Sequence, residues 1–187
     1  RDRDTTNSYM YVHGGAPGSP TTHGNIIERG AFSISTGTFT DHGDLTDGGH
    51  YYDENGKKFK KFGSNDKDAL KLLERNGVRV IFVTGDSTVS GFAISEKRIN
   101  DMGFTLLKVD SESRLDWIQS NNYNFEEVCY MGDGVFDVSI LEKAKIGIAP
   151  ANATSGAKKS ADFVTPSSGV KNAIVDAVFY ILQVPPN

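Results

Sequence analysis

From Asp66 onward, the chain alternates between short apolar runs and longer segments with helical periodicity. Residues 78–83 are almost continuously apolar, as in a strand that is buried on both faces. Turn residues such as Gly77 and Gly103 separate the segments. Strict alternation of strands and helices predicts a mostly parallel sheet with helices on both faces and right-handed crossovers. The expected fold class is therefore α/β, as a Rossmann-like, doubly wound domain.

Periodicity places each strand and helix within this alternation. Short apolar or alternating runs predict strands at residues 31–40, 78–83, 104–108, 127–131, 146–149 and 162–165. Helical spacing predicts helices from Asp66 to the stop at Asn76-Gly77 and at residues 87–102, 111–121, 135–144, 155–160 and about 170–182. The chain contains no internal repeat, and its 187 residues suffice for one domain with an appendage.

Two segments are predicted to lie outside the alternation. Residues 1–29 are rich in Gly, Ser, Thr and Pro and predict an extended or flexible arm, which leaves residues 30–187 as the α/β domain. Residues 50–62 predict a β-hairpin, because Asn55-Gly56 suits the positive φ angles of a type I′ turn and aromatic residues stand on both arms. The four lysines of residues 57–61 are predicted to form a solvated hairpin face.

The composition argues against several function classes. A formal net charge of −4 argues against a general nucleic-acid binder. No apolar run approaches the roughly 18 residues that cross a membrane, and no apolar leader follows Arg1, so a cytoplasmic location is expected. The absence of an initiating Met is compatible with a processed product or a fragment. Cys129 stands alone in an apolar strand, which excludes a disulfide framework and predicts a buried thiol.

Acidic residues follow two of the predicted strands at the point where each strand ends. Asp41 follows residues 31–40, and Asp133 and Asp137 follow residues 127–131. The carboxyl ends of parallel strands meet at one crevice of an open α/β sheet. Carboxylate oxygens are hard ligands that suit Mg²⁺. The sequence therefore predicts a magnesium site formed by Asp133, Asp137 and the acids of residues 41–47, of which Asp41 is the metal ligand if the chain is an active phosphatase.

Phosphate-binding residues are predicted at the same edge. Thr84 and Gly85 end the strand at residues 78–83, where a hydroxyl and backbone N–H groups at a helix start suit a phosphate. Arg114, on the first turn of the next helix but one, is the basic residue placed to complete a phosphoryl-transfer site.

Simpler structural roles are also available to these residues. Asp133 could cap the helix at residues 135–144, and Thr84 could cap the helix that follows it. The acids of residues 44–47 need no function in a surface turn. His42 and His50 are ordinary loop residues by type, although the position of His42 makes it a candidate acid/base.

An ordered series of short motifs carries a family resemblance. The series comprises Leu45-Thr46-Asp47-Gly48, Asp53-Glu54-Asn55-Gly56, Phe62 with Asp66 to Leu73, Val83-Thr84-Gly85, Tyr130 to Asp133 with Asp137, and residues 148–153. In this order and spacing, residues 38–182 resemble the haloacid dehalogenase superfamily. Within that superfamily the chain is similar to the capless phosphatases of 3-deoxy-D-manno-octulosonate 8-phosphate.

The resemblance implies a Mg²⁺-dependent reaction with an aspartate nucleophile. The family carries Asp-x-Asp at the end of its first strand, where the first Asp becomes phosphorylated and the second is the acid/base. In the ungapped register, Thr40 and His42 occupy these positions in this chain. A one-residue slip or bulge would bring Asp41 to the nucleophile position. The catalytic candidates are therefore Asp41, His42, Thr84 and Arg114.

Further positions depart from the family pattern. Arg114 stands in place of the family's Lys, and Asp86 replaces an Arg that follows the Thr84-Gly85 motif. Gly134 replaces a second Asp, and Val175 stands where the last helix usually has an Arg.

Two functions follow from this pattern. The first is a Mg²⁺-dependent phosphomonoesterase acting on a small phosphorylated sugar. The second is a catalytically degenerate domain kept for assembly or binding, which the several altered positions favour. The family's hairpin typically builds a tetramer, so the resemblance implies a homo-oligomer in either case.

Overall fold

The computed structural model describes residues 37–41, through their backbone, and residues 45–183. The predicted arm at residues 1–29, the first part of the predicted strand at 31–40, and His42 lie outside the described residues.

Strands and helices alternate in the predicted order. The strands are β1 Gly37–Asp41, β2 Tyr51–Asp53, β3 Gly56–Phe59, β4 Val80–Thr84, β5 Leu106–Lys108, β6 Val128–Met131, β7 Ile146–Ala149 and β8 Phe163–Val164. The helices are α1 Asp66–Arg75, α2 Val89–Met102, α3 Arg114–Ser120, α4 Val138–Lys143, α5 Ser155–Ser160 and α6 Ala173–Leu182, with a 3-10 turn at Phe125–Glu127.

Six strands form one parallel sheet in the order β5-β4-β1-β6-β7-β8, and β2 and β3 pair separately as an antiparallel hairpin. The chain runs outward from β1 through β4 to β5 and then returns to β6 on the other side of β1. Connections leave β1 and β6 in opposite directions, which is the arrangement that opens a crevice at the carboxyl ends of two strands. The expected doubly wound α/β fold is confirmed.

The core lies in two layers because side chains alternate across the sheet. Phe82 of β4 and Met131 of β6 belong to one cluster, which α1, α2 and α6 cover. Val83 and Tyr130 belong to the other, which α3, α4 and α5 cover. Cys129 is buried, as predicted for an isolated thiol in an apolar strand.

The hairpin turn differs from the predicted type I′ turn. Asp53 pairs with Gly56, so Glu54 and Asn55 form the turn. Among the described residues of the turn, only Gly56 has a positive φ, of 109°. The pairing also shifts between Tyr51 and Tyr52, and a glycine of positive φ beside a register shift indicates a bulged turn.

The prediction of a solvated lysine face is wrong for two of the four lysines. The side chains of Lys57 and Lys60 are 6% and 0% exposed, whereas that of Lys58 is 46% exposed. Across the described ranges, none of the helices combines the length and the apolar character that a membrane span requires.

Candidate active site

Three adjacent strands end together at one edge of the sheet. Asp41, the last residue of β1, pairs with Val83, and Thr40 pairs with Met131 on the other side. Thr84 ends β4, and Asp133 follows the end of β6 by two residues. The ends of β1, β4 and β6 therefore form a common rim at the crevice.

The register also assigns Asp41 to a face of the sheet. Phe39 and Asp41 pair with Ile81 and Val83, which belong to the cluster under α3, α4 and α5. Thr40 pairs with residues of the opposite cluster. Asp41, rather than Thr40, thus holds a register position on the sheet face that carries Tyr130.

Thr84 is buried at the end of β4 and does not cap the next helix. Its Oγ1 accepts a hydrogen bond from the backbone N–H of Asp86 at 3.1 Å. The N-cap residue of α2 is Thr88. The capping role considered for Thr84 is therefore wrong, and its hydroxyl instead stabilises the loop that carries Gly85.

Gly85 lies directly against the loop that follows β5. A Cβ at this position would lie 2.3 Å from Oγ of Ser111 and 3.2 Å from its backbone nitrogen, so a side chain here would displace the Ser111 hydroxyl. The loop after β4 and the start of α3 are thus pressed together at the rim.

Asp133 is half-buried, and its backbone carbonyl accepts a hydrogen bond from the N–H of Thr154 at 2.9 Å. The helix that follows begins at Val138, with Asp137 at its N-cap, so the capping role considered for Asp133 is also wrong. Oδ2 of Asp137 accepts from the N–H of Gly134 at 2.8 Å. This bond holds residues 134–137 in a turn and explains why the helix begins three residues later than predicted.

Arg114, Tyr130 and Asp137 form a buried hydrogen-bond network. Nη1 of Arg114 donates to Oδ1 of Asp137 at 2.9 Å and to the hydroxyl of Tyr130 at 3.0 Å. The Tyr130 hydroxyl donates to the same Oδ1 at 2.5 Å. Arg114 and Tyr130 are 1% and 0% exposed. A buried ion pair with this many hydrogen bonds is a rigid element of the rim.

Two members of this network were not predicted from the sequence. Ser111 accepts from Nη2 of Arg114 at 3.4 Å, and Tyr130 lies in a strand that otherwise reads as plain core. Tyr130 could have been recognised from its chemistry, because a phenol hydroxyl in a fully buried strand requires a polar partner.

Asp86 is the second charged centre near the rim. Its Oδ2 accepts hydrogen bonds from Lys57 at 2.7 Å and Lys60 at 2.8 Å, and its Oδ1 accepts from the Thr88 hydroxyl at 2.6 Å. Burial raises the pKa of this carboxyl, but the hydrogen bonds from the two lysines and Thr88 outweigh burial and hold the pKa far below its ordinary value. The positive charges of Lys57 and Lys60 thus compensate the negative charge of Asp86.

His50 lies near the same lysines. Burial lowers its pKa, and the charges of Lys57 and Lys60 lower it further. His50 is therefore neutral at pH 7.

Some of the carboxylates predicted to bind a metal ion do lie at the rim. Within residues 45–183 and the described backbone of β1, no group of three His, Cys, Asp or Glu side chains is placed to hold a metal ion. Asp133 and Asp41 stand at the ends of adjacent strands, and carboxylate oxygens suit Mg²⁺. Both oxygens of Asp137, in contrast, already accept hydrogen bonds from protein groups.

Comparisons with known proteins find the same fold and a similar family. Residues 113–178 match the family model of haloacid dehalogenase-like hydrolases. The chain is 27% identical over 136 residues to the 3-deoxy-D-manno-octulosonate 8-phosphate phosphatase of Escherichia coli K12, covering 71% of this chain and 70% of that protein. It also matches potassium- and copper-transporting ATPases, of whose length it spans only 14%.

Solved structures agree with this match. The cobalt-bound phosphatase of Haemophilus influenzae, named for the same octulosonate phosphate, superposes with a TM-score of 0.67 at 28% identity, covering 78% of this chain and 86% of that chain. The Moraxella catarrhalis phosphatase, solved with magnesium, phosphate and KDO, gives a TM-score of 0.70 at 21% identity and covers 80% and 87%. The degenerate alternative gains no support from these comparisons. Part of the chain therefore resembles the haloacid dehalogenase-like hydrolases, and the chain shares its fold with the 3-deoxy-D-manno-octulosonate 8-phosphate phosphatases.

Proposed function

We propose that the protein is a Mg²⁺-dependent phosphomonoesterase acting on a small phosphorylated sugar. One observation carries the proposal: the register of β1, β4 and β6 brings Asp41, Thr84 and Asp133 to one rim of the sheet. Its relatives include phosphatases of a phosphorylated sugar acid.

Asp41 is proposed as the nucleophile. Its carboxylate attacks phosphorus, a P–O bond to the aspartate forms, and the bond from phosphorus to the sugar oxygen breaks. The departing sugar oxygen takes a proton, and water then hydrolyses the aspartyl phosphate to release inorganic phosphate. His42, which follows Asp41 directly, is the proposed proton donor in the first step. The register position of Asp41 on the Tyr130 face supports this assignment.

Thr84, Gly85 and Arg114 are proposed to bind the phosphate group. The Thr84 hydroxyl and the amides after it lie at the end of β4, and the guanidinium of Arg114 donates to Asp137 in the segment that follows β6. A fixed positive group and backbone amides stabilise the negative charge of the transferring oxygens.

Asp41 and Asp133 are proposed to hold Mg²⁺, which when bound would neutralise charge on the phosphate oxygens. Asp137, predicted as a third ligand, is better assigned to holding Arg114, because Arg114, Tyr130 and Gly134 occupy its oxygens.

The test is hydrolysis of para-nitrophenyl phosphate by the full chain with Mg²⁺ and with EDTA. We expect turnover only with Mg²⁺, and a loss of at least about 100-fold in kcat/KM for Asp41→Asn and Asp133→Asn. Asp116→Asn, an exposed acid on α3, is the matched control and should retain activity. Absence of metal-dependent turnover in folded protein would overturn the proposal. A panel of phosphorylated sugars and sugar acids, scored by phosphate release, then ranks the substrates.

Self-assembly is proposed as a second property, whether or not the chain is catalytic. Tyr51, Tyr52 and Phe59 of the hairpin are 56%, 63% and 69% exposed, and an aromatic patch of this kind commonly marks an interface. A homo-oligomer, of four copies by resemblance, would bury it. An inactive protein that still assembles would instead support the degenerate domain. The cytoplasmic location stays a prediction.

A further inference from the structure

We infer that Tyr130 is a positioning residue, whose hydroxyl fixes the guanidinium of Arg114 for phosphate binding. This inference rests on the proposed function, because it assigns a role within the same site. Tyr130 itself is expected to touch neither substrate nor metal, since its side chain is fully buried beneath the rim.

The hydrogen bonds form a closed triangle. Nη1 of Arg114 donates to the Tyr130 hydroxyl at 3.0 Å and to Oδ1 of Asp137 at 2.9 Å. The hydroxyl donates in turn to that same Oδ1 at 2.5 Å. An ion pair alone would leave the guanidinium free to rotate about the Nη1–Oδ1 contact. The Tyr130 hydroxyl removes this freedom, because it accepts a hydrogen bond from Arg114 and donates one to Asp137.

Packing against the backbone fixes the position of the Tyr130 side chain. Tyr130 belongs to the central strand β6, and a Cβ on Gly132 would lie 2.7 Å from Cε1 of Tyr130 and 2.6 Å from Cβ of Asp137. The phenol ring and the Asp137 side chain are thus both pressed against the same glycine.

The other terminal nitrogen connects the triangle to the phosphate loop. Nη2 of Arg114 lies 3.4 Å from Oγ of Ser111, which in turn lies against Gly85. Fixing Nη1 therefore also fixes the distance between the guanidinium and the loop after β4. Small displacements of a group that binds the reacting atoms reduce turnover strongly, by up to about 100-fold for 1 Å.

The first experiment compares Tyr130→Phe with wild-type full chain on para-nitrophenyl phosphate and Mg²⁺. We expect kcat to fall about tenfold and KM to rise about tenfold, because the charge of Arg114 remains but the orientation in which its guanidinium binds the phosphate group is lost. Tyr123→Phe removes a hydroxyl from a residue packed on the same core cluster and should change neither constant. Equal kcat values for Tyr130→Phe and wild type would overturn the inference.

A double-mutant cycle with Arg114→Lys separates positioning from packing. Lysine keeps the charge but cannot make the paired contacts of a guanidinium. If Tyr130 acts through Arg114, adding Tyr130→Phe to Arg114→Lys should lower kcat by less than about threefold further. Additive losses would show that Tyr130 acts through packing alone and would overturn the inference.

Binding of inorganic phosphate keeps the inference testable if the wild-type chain proves inactive, which would refute the proposed function alone. Isothermal titration with phosphate and Mg²⁺ should then give an affinity at least about tenfold weaker for Tyr130→Phe than for wild type. Equal affinities, or no phosphate binding by wild type, would overturn the positioning role itself.

Discussion

Asp66 is the first residue of α1, and its side chain is almost completely buried. Burial raises the pKa of this carboxyl, while the charge of Arg98 and the N–H of Gly63 only partly oppose the rise. A raised folded pKa means that Asp66 contributes most to stability below its ordinary pKa of 3.8 and that this contribution is lost as the pH rises through the folded value.

Asp66→Asn is therefore expected to raise the free energy of unfolding at pH 7, because it removes a buried charge. The gain should shrink as the pH falls toward 4, where the wild-type carboxyl becomes neutral. Urea unfolding at several pH values measures the difference. Asp68→Asn, an exposed acid on the same helix, serves as the control. A gain that is the same at all pH values would contradict the role of ionisation.

Val170 adopts a left-handed backbone conformation, with a φ of 58°. A β-branched residue in this region is strained, by an amount of order 1–2 kcal/mol. Val170→Gly should stabilise the fold by about 1 kcal/mol, measured by thermal unfolding. Asn122 has a φ of 60°, but asparagine tolerates this conformation, so Asn122→Gly should change stability by only a few tenths of a kcal/mol. Destabilisation by Val170→Gly would show that packing of the side chain outweighs the strain.

Single residues were the least predictable from the sequence. The residue types at the rim could be predicted, because polar residues such as Thr84 and Asp133 come directly after predicted strands. The partners of Arg114 could not, because Tyr130 and Asp137 lie 16 and 23 residues away along the chain. Hydrophobic periodicity reports which face a side chain occupies and carries no record of its hydrogen-bond partner.

The hairpin docks on α2 through a buried ion cluster. Lys60 donates to Asp86 at 2.8 Å, to the carbonyl of Gly91 at 2.9 Å and to Oγ of Ser95 at 2.8 Å, and Lys57 donates to Asp86 at 2.7 Å. A two-stranded ribbon is marginal by itself in water. The orientation of the hairpin therefore depends on this cluster.

Asp86→Asn is expected to destabilise the protein by about 3 kcal/mol, because it leaves two buried ammonium groups without their counter-charge. The depressed pKa of Asp86 means that this stabilisation is present above the ordinary pKa and is lost as the pH falls. Wild type and variant should therefore approach each other in stability in acid, as followed by urea unfolding.

Lys58→Met is the matched control for the ion cluster. Lys58 lies on the same strand and pairs with Asp53 at 3.1 Å, but both side chains are substantially exposed. Its loss should therefore lower stability far less than Asp86→Asn does. Equal effects of Lys58→Met and Asp86→Asn would contradict the importance of burial.

The elements themselves were predicted well because their boundaries are local. Gly103, for example, ends α2 with a φ of 89°, as its position after a helical run indicated. The start of α4 was missed, since it depends on the bond from Gly134 to Asp137. The lysines of β3 were misplaced for a similar reason: a charged run predicts a solvated surface unless a distant partner such as Asp86 buries it.

For the whole molecule, the exposed hairpin aromatics predict self-association. Tyr51→Ser combined with Phe59→Ser should lower the native mass of the protein by removing apolar contact area between copies, as measured by light scattering after size-exclusion chromatography. Val164→Ser, on an edge strand away from the hairpin, is the control. A wild-type protein that is monomeric at all concentrations would contradict the proposed assembly.

The fold as a whole was accessible because strand and helix alternation restricts the possible topologies severely. Hydrophobic periodicity did not predict which strand lies at the centre of the sheet. Residues 31–40 alternate like a half-buried strand, yet β1 lies between β4 and β6.

The closed triangle beneath the rim has a consequence for regulation by ions. Arg114 and Asp137 carry opposite charges, so together they attract a phosphate dianion less strongly than an arginine alone would. In the proposed enzyme, magnesium and phosphate should then depend on each other for binding. Linkage requires that each increase the affinity for the other by the same factor. Product inhibition by inorganic phosphate would accordingly deepen as free magnesium rises and nearly vanish when magnesium is scarce.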